Sequence, residues 1–308
     1  MPGLTLQDLP QVEEFTPDPS NIDAVVQSLA RVGGVVIRGL VPQAKLDLIE
    51  RDVRPHLDAD SPWSGDFFPP ETRRAFGLAG KSDTFMRTIP MDPLYQAVCD
   101  RILKSTYQAY TGQKLETSVS HPQLNNTIVF SIGPGARAQE LHRDDMIHHN
   151  YLKAITADEW TPDRETGIGF FIAGKKTTKA NGATRFIPGS HLWDTLTPPD
   201  EDLTFYAELN PGDAFIMLAS CYHGGSANTT ADEERLIFSC FMTKGYLRQE
   251  ENQYLAVPIE KVRELPEEMQ RLIGYRVSHP FLGWLDLEDP IKAVYGKDWK
   301  KPETSDLY

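Results

Sequence analysis

Apolar residues recur at helical spacing through much of the first hundred positions. Residues 20–31 open with Ser20, a residue type that caps helix N-termini, and then repeat apolar side chains every three or four positions. The same spacing follows Pro42 and returns from residue 93 to about residue 106. Between the first two segments, the β-branched run 33–41 (GGVVIRGLV) predicts a strand. The first third of the chain is therefore predicted to be largely helical, with one or two strands.

From about residue 125 the pattern changes to short apolar runs separated by Gly, Pro and Asn. The runs are NTIVFSIGPG, ELHRDD, GIGFFIAG, GATRFIPGS, LTFYAEL, DAFIMLAS and RLIFSCFMT. Strands of this length and spacing are typical of an antiparallel jelly-roll barrel. After Gln253 the spacing is helical again. The pattern predicts a mainly β fold with peripheral helices, in which residues 1–308 form a single domain with its barrel core at about 120–250.

Composition and charge narrow the possible functions. The formal net charge of -13 argues against a nucleic-acid partner, because phosphate binding requires clustered Lys and Arg. The sequence lacks an apolar run long enough to span a bilayer, and its first residues do not resemble a signal peptide. Three widely spaced cysteines, Cys99, Cys221 and Cys240, suit a reduced cytoplasmic protein that buries them as small apolar side chains. We therefore expect a cytoplasmic protein without a membrane span.

The segment QELHRDDMIHHN (139–150) concentrates residues that ligate metals. In a strand, His142 and Asp144 would point to the same face, because side chains alternate. A third ligand must come from elsewhere, and His223, which follows the DAFIML strand, is the best candidate. Two histidines and one carboxylate form the facial set that binds non-haem Fe(II) and leaves positions open for oxygen and a co-substrate.

The other histidines are weaker candidates for metal ligands. His148 and His149 are adjacent, so a strand would direct them to opposite faces, and we interpret them as residues that line a pocket. The remaining histidines lie beside prolines or turn residues and are interpreted as structural; they are His56, His121, His191 and His279.

Four segments, in their order along the chain, resemble a known family. They are QELHRDD, NGATRFIPGSH, PGDAFIM and HGGSANTTADEERLIF. Together they resemble the phytanoyl-CoA dioxygenase-like branch of the Fe(II)/2-oxoglutarate-dependent oxygenases, most closely the fungal members that tailor meroterpenoids and alkaloids. The resemblance covers most of the chain. It implies a double-stranded β-helix (a cupin-like jelly-roll barrel), with Fe(II), 2-oxoglutarate and O2 as cofactors.

The resemblance also assigns roles to individual residues. His142, Asp144 and His223 match the iron ligands of the family. The positions that match contacts to 2-oxoglutarate are Gln139, Thr184, Arg235 and, in the preceding strand, Asn126 and Thr127. Arginine suits the distal carboxylate of this co-substrate, because its planar guanidinium donates two parallel hydrogen bonds. The alternative for Arg235 is a surface ion pair within the sequence DEER.

Candidates for the substrate pocket are less specific. The helical third contains Phe67, Phe68, Arg73, Arg74 and Phe76, of which Phe68 and Arg74 are selected, together with His148 and His149. The long loop at residues 145–166 is aromatic and polar, which is the profile of a binding loop or lid. In relatives a corresponding region can meet a partner subunit, so the resemblance implies a homodimer.

The expected reaction is oxidation of a polycyclic natural-product intermediate, a meroterpenoid or alkaloid, by hydrogen abstraction. Hydroxylation, desaturation, rearrangement and endoperoxide formation all occur in the family, whereas halogenation is disfavoured because halogenating members lack the carboxylate that Asp144 supplies. Two alternatives remain open. The first is a cupin-like metal-dependent isomerase or hydrolase that does not use 2-oxoglutarate, and the second is a non-catalytic barrel. Arg235 distinguishes the oxygenase from the first alternative, since only the oxygenase needs this residue to bind 2-oxoglutarate.

Overall fold

The computed structural model describes residues 5–296, and this region is organised around two facing β-sheets. The strands are β1 Glu13–Phe15, β2 Gly34–Ile37, β3 Thr72–Phe76, β4 Ser105–Thr111, β5 Lys114–Ser120, β6 Gln123–Ile132, β7 Gly167–Ala173, β8 Thr184–Phe186, β9 Phe205–Ala207, β10 Ala214–Leu218, β11 His223–Gly225 and β12 Arg235–Thr243. The helices are α1 Ile22–Val32, α2 Gln43–Asp58, α3 Asp83–Thr88, α4 Pro93–Leu103, α5 Gln253–Ala256, α6 Ile259–Glu264, α7 Glu267–Ile273 and α8 Lys292–Tyr295.

The larger sheet has the strand order β1-β2-β10-β7-β12-β6-β3, in which only β1 and β2 pair in parallel. The smaller sheet has the order β11-β8-β9 and is antiparallel. Rings from the two sheets meet between them, since the centroids of Phe186 and Phe215 lie 5.1 Å apart and those of Phe171 and His223 lie 6.3 Å apart. The sheets therefore form the predicted jelly roll, with the start of β11 facing the centre of the larger sheet.

Strand β7 is buried along its whole length, because protein covers both of its faces. On one face the ring of Tyr95, from α4, stacks on Phe170 at 4.1 Å, and its hydroxyl donates to the carbonyl oxygen of Ile168 at 3.0 Å. On the other face Phe171 points toward β11. Cys99 and Cys240, which lie beside Tyr95, are buried and unpaired. Helices therefore cover the outer face of the larger sheet and leave its inner face for the cavity.

The structure corrects two elements of the prediction. Helix α4 ends at Leu103, and the next residues form an exposed β4–β5 hairpin in place of a longer helix. The run ELHRDD is not a strand: His142 makes an isolated bridge, and Asp144–His148 is a 3-10 helix. The chain bends there because the Asp145 N–H donates to the carbonyl oxygen of Ala219 rather than continuing a ladder. Within residues 5–296, no helix is long and apolar enough to cross a membrane.

Gly212, in the PGDAFIM segment, permits a close approach of two backbones before β10. Its φ is +84°, and a β-carbon there would lie 2.1 Å from the carbonyl oxygen of Val41. We predict that Gly212→Ala is destabilising through both backbone strain and this clash. Gly39→Ala is the matched control, because Gly39 has a φ of +65° and open space around it.

Urea unfolding measures the difference between these two variants. Gly39→Ala should lose about 1 kcal/mol from backbone strain alone, and Gly212→Ala should lose about 2 kcal/mol more from overpacking. Equal losses would mean that the Val41 carbonyl moves away at little cost.

Glu234, immediately before β12, ties helix α2 to the larger sheet. Its carboxylate accepts a hydrogen bond from Arg54 at 2.7 Å and others from Lys175 and Ser131. Burial alone would raise the pKa of Glu234, but these three donors outweigh it and hold the pKa at about 2. A depressed folded-state pKa contributes stability that is present above the pKa of the unfolded chain and is lost as the pH falls toward the folded value.

We therefore predict that Glu234→Gln lowers the free energy of unfolding at neutral pH by about 1 kcal/mol, and that the deficit disappears between the ordinary glutamate pKa of 4.5 and a pH of about 2. Urea unfolding of both proteins across that range measures it. Asp232→Asn removes an exposed charge from the same loop and should show no such dependence. A deficit that is constant with pH would rule out the ionic tie.

Candidate active site

His142, Asp144 and His223 converge at the open end of the space between the sheets. His142 and His223 pair as an antiparallel bridge, in which each backbone N–H donates to the other carbonyl oxygen at 2.9 Å. Two residues further on, Oδ1 of Asp144 lies 3.5 Å from Nε2 of His142, and its Oδ2 lies 3.5 Å from Nε2 of His223. Ligand atoms of the three residues all lie within 4.8 Å of one another. Although the predicted strand is absent, the predicted juxtaposition of His142 and Asp144 is present.

The backbone orients both imidazoles for ligation. Nδ1 of His142 lies 2.9 Å from the carbonyl oxygen of Glu140, and Nδ1 of His223 lies 3.3 Å from that of Cys221. A carbonyl acceptor keeps the proton on Nδ1, which leaves the Nε2 lone pair directed toward Asp144. In a histidine that binds metal, the second ring nitrogen characteristically has such a partner.

The pKa shifts of His223 and Asp144 suit a cation, whereas that of His142 does not: burial alone would lower the pKa of His142, but Asp144 outweighs it and raises the pKa, so a bound metal must displace that proton. Burial disfavours the imidazolium and lowers the pKa of His223 to about 4. Burial alone would raise the pKa of Asp144, but the two imidazoles outweigh it and hold the pKa below its usual value. Metals are bound by neutral imidazole and ionised carboxylate. Because Oδ2 of Asp144 is buried without a hydrogen-bond partner, the three residues fit a divalent metal ion.

Arg235, the first residue of β12, is a buried cation in the same cavity. Its Nη2 donates to Oγ1 of Thr184 at 2.7 Å, and its Nε has no partner. Burial lowers the pKa of Arg235 to about 10, so the guanidinium is still charged at neutral pH. Within residues 5–296 no carboxylate forms a salt bridge with it; neighbouring Glu234 instead binds Arg54 and Lys175. The site therefore has an uncompensated positive charge that suits an anionic ligand.

Two further predicted residues lie on this cavity, which has a volume of about 150 Å³. Oε1 of Gln139 lies 3.4 Å from the backbone nitrogen of Gly225, and the Gln139 N–H donates to the carbonyl oxygen of the same glycine at 2.9 Å. The side-chain amide of Asn126 donates to Glu250. Strand β11 thus carries His223 and also positions Gln139. The candidate metal ligands and the candidate 2-oxoglutarate contacts are therefore both held by this strand.

Phe67 and Phe68 line the cavity, whereas Arg73, Phe76 and four of the residues selected from the sequence do not. Oγ1 of Thr127 accepts a hydrogen bond from the Leu78 N–H at 2.8 Å, because alternation directs it to the opposite face of β6 from Asn126.

The other three residues are held elsewhere. The guanidinium of Arg74 binds Asp60 at 2.9 Å and lies 4.9 Å from the Phe68 ring. Arg74 therefore packs against Phe68 without lining the cavity itself. Nε2 of His148 lies 2.9 Å from the carbonyl oxygen of Arg248. His149 is exposed and adopts a φ of 53° at the end of the 3-10 helix.

Several wall residues were not predicted from the sequence. They are Ile128, Phe130, Phe171, Ile237, Phe241 and Glu250. Alternation could have found those on β6 and β12, because every second residue after Asn126 and after Arg235 points to the face that carries the cavity. No comparable signal exists for Glu250, which lies in an irregular segment after β12.

Comparisons with known proteins agree with this geometry. The family model described as Phytanoyl-CoA dioxygenase (PhyH) matches residues 29–236. The chain is 43% identical to Dioxygenase peniF of Penicillium patulum and 40% identical to Dioxygenase himG of Aspergillus japonicus, in each case over 94% of this chain and 92% of the relative. It is 36% identical to Dioxygenase swnH1 of Metarhizium robertsii over 88% of both chains.

Solved structures share the fold. The non-heme alpha ketoglutarate dependent epimerase SnoN from nogalamycin biosynthesis superposes with a TM-score of 0.56 at 19% identity, covering 74% of this chain and 85% of SnoN. HygX from Streptomyces hygroscopicus, with nickel and 2-oxoglutarate bound, gives a TM-score of 0.52 at 14% identity, covering 73% and 88%. The predicted jelly-roll fold is thereby confirmed. By family match and extended identity, the chain belongs to the phytanoyl-CoA dioxygenase family and is an Fe(II)/2-oxoglutarate-dependent oxygenase.

Proposed function

We propose that this enzyme oxidises an apolar, polycyclic natural-product intermediate, with His142, Asp144 and His223 holding the Fe(II). The observation that carries the assignment of the co-substrate site is Arg235, a buried guanidinium without an anionic partner in the cavity that contains the three metal-binding side chains. A jelly-roll isomerase or hydrolase that acts on a neutral substrate would have no anionic group to pair with such a charge. A 2-oxoglutarate enzyme needs it, because the distal carboxylate of the co-substrate must be neutralised away from water.

Each residue of the site has a defined task in this proposal. Arg235 binds the distal carboxylate, and Thr184, at 2.7 Å from its Nη2, fixes the orientation of the guanidinium. Gln139 supplies an amide group to the co-substrate end of the cavity, whereas Asn126, predicted for the same role, donates its amide to Glu250. When bound, Fe(II) and 2-oxoglutarate supply, with O2, the oxidising chemistry that removes hydrogen from a substrate carbon.

The walls of the cavity support an apolar substrate. Beside the polar groups, its surface is formed mainly by aromatic and aliphatic side chains, which are Phe67, Phe68, Ile128, Phe130, Ile132, Phe171, Ile237 and Phe241. Such walls exclude water from the reacting carbon and position a rigid ring system by shape. The outcome, whether hydroxylation, desaturation, rearrangement or endoperoxide formation, follows from which substrate carbon these walls direct toward the metal ligands. The single domain, the homodimer and the cytoplasmic location stay predictions.

We predict that Arg235→Ala weakens 2-oxoglutarate binding by at least about a hundredfold, because it removes a charge-assisted bidentate partner. Thr184→Val, which removes the hydroxyl without changing the shape, should weaken it by about five- to tenfold. Isothermal titration of anaerobic protein loaded with Fe(II) measures both affinities, and succinate release measures turnover.

Thr184→Ser is the control for the second variant, because it retains the hydroxyl that accepts from Arg235. Its affinity for 2-oxoglutarate should stay close to that of the wild type. If Arg235→Ala binds 2-oxoglutarate normally, or if the wild-type protein does not bind it, the co-substrate assignment is wrong.

The metal assignment has its own test. His142→Ala should reduce bound Fe(II) by at least about tenfold after anaerobic reconstitution, because it removes one of three protein ligands. Plasma emission spectrometry of desalted protein measures the metal content. His149→Asn removes an exposed histidine from the same loop, with a side chain that tolerates a positive φ, and should retain the metal. Equal iron in both variants would exclude His142 as a ligand.

A further inference from the structure

Glu250 lies on the wall of the active-site cavity and is held there rigidly. The segment that carries it is bonded to the start of β6: the Glu250 N–H donates to Oδ1 of Asn125 at 2.8 Å, and the Glu251 N–H donates to the carbonyl oxygen of Asn125 at 3.2 Å. The side chain of Gln249 donates to the carbonyl oxygens of Leu124 and Ile273. Although Glu250 lies in an irregular segment after β12, these hydrogen bonds therefore fix the position of its backbone relative to β6.

The carboxylate of Glu250 lies beside a residue whose side-chain oxygen lacks a hydrogen-bond donor. The side-chain amides of Asn125 and Asn126 donate to Oε2 of Glu250, the first at 3.3 Å. This arrangement leaves Oδ1 of Asn126 buried without a partner, on a residue that is only 4% exposed. Among residues 5–296, no Lys, Arg or His forms a salt bridge with Glu250. A buried unpaired acceptor beside a carboxylate marks a place where a ligand supplies the donors.

The charges around the cavity leave Glu250 uncompensated. With Fe(II) and 2-oxoglutarate bound, the charge of the metal would balance that of the co-substrate, and Arg235 would balance Asp144. The other cation on the wall, Arg137, is exposed and donates to the backbone carbonyl oxygens of Asp66 and Ala138. Burial, reinforced by the nearby charge of Asp144, raises the pKa of Glu250 to about 7. A cation bound beside Glu250 would relieve this cost of ionisation.

We propose that Glu250 and Asn126 bind a protonated amine of the substrate, so that the substrate is an apolar ring system that carries a basic nitrogen. This inference rests on the proposed function and narrows its substrate class. An ammonium group donates to both acceptors at once, whereas a neutral hydroxyl has one proton to donate. The aromatic side chains around the cavity suit the same group, because the faces of aromatic rings attract cations. Glu250, which lies beside β6, thus sets the orientation of the bound substrate.

A pair of probes of the same shape tests the proposal: 1-aminoadamantane, which is cationic, and 1-adamantanol, which is neutral. Each is titrated calorimetrically into anaerobic enzyme loaded with Fe(II) and 2-oxoglutarate, in slightly alkaline buffer that keeps Glu250 ionised and the amine protonated. The wild type should bind the amine at least about tenfold more tightly than the alcohol, because a charge-assisted hydrogen bond is the stronger one.

Glu250→Gln should reduce this preference to about twofold or less, without weakening the alcohol. Glu140→Gln removes an exposed carboxylate whose side chain does not line the cavity, and it should keep the full preference. If Glu250→Gln does not fold, Asn126→Ala, which removes the second acceptor, must lower the preference by about threefold.

Two results would overturn the amine site: a wild-type enzyme that does not prefer the amine, or a Glu250→Gln enzyme that retains the full preference. The affinity for 2-oxoglutarate, measured on the same samples, separates this failure from a wider one. Wild-type protein that binds 2-oxoglutarate without preferring the amine disproves only the amine site. Protein that does not bind 2-oxoglutarate disproves the proposed function itself.

Discussion

The antiparallel bridge between His142 and His223 is the interaction on which the site depends. Two backbone hydrogen bonds of 2.9 Å join residues that are 81 positions apart, and they bring two imidazoles to a centroid separation of 4.5 Å. Because backbone groups make this contact, its geometry does not depend on the ligand side chains. The turn that follows His142 then directs Asp144 to the same point. Backbone pairing thus positions two of the candidate metal ligands, and the side chain of Asp144 adds the third.

Backbone geometry also separates the two charges at the start of β12. Glu234 and Arg235 are adjacent and opposite in charge, yet they do not pair. Successive residues of an extended chain point to opposite sides, so Glu234 reaches Arg54 on the outside while Arg235 reaches Thr184 inside. The outer ion-pair network stabilises the strand, and the inner guanidinium stays available. Leaving a buried cation unpaired costs folding free energy, which is a common property of functional sites.

The residues of the cavity fall into two groups, one assigned to the metal and the co-substrate and the other to the substrate. The candidate metal ligands and the buried guanidinium, which we assign to the metal and the co-substrate, lie on β11, β12 and the turn after His142. The apolar walls and Glu250 come from other elements, including the loop before β3 and the irregular segment after β12. Substrate selection can therefore change in these elements while the oxidising centre stays the same.

The sequence by itself determined the fold class and identified three candidate metal ligands and Arg235, because apolar periodicity and ordered motifs are local properties of the chain. It did not determine that Asp144 begins a 3-10 turn, that Thr127 faces away from the cavity, or that Arg74, His148 and His149 lie outside it. Those outcomes depend on hydrogen bonds to distant residues such as Leu78, Asp60 and Arg248. Only the tertiary structure brought Glu250 to Asn126, since the bonds that position its segment join residues about 125 positions apart.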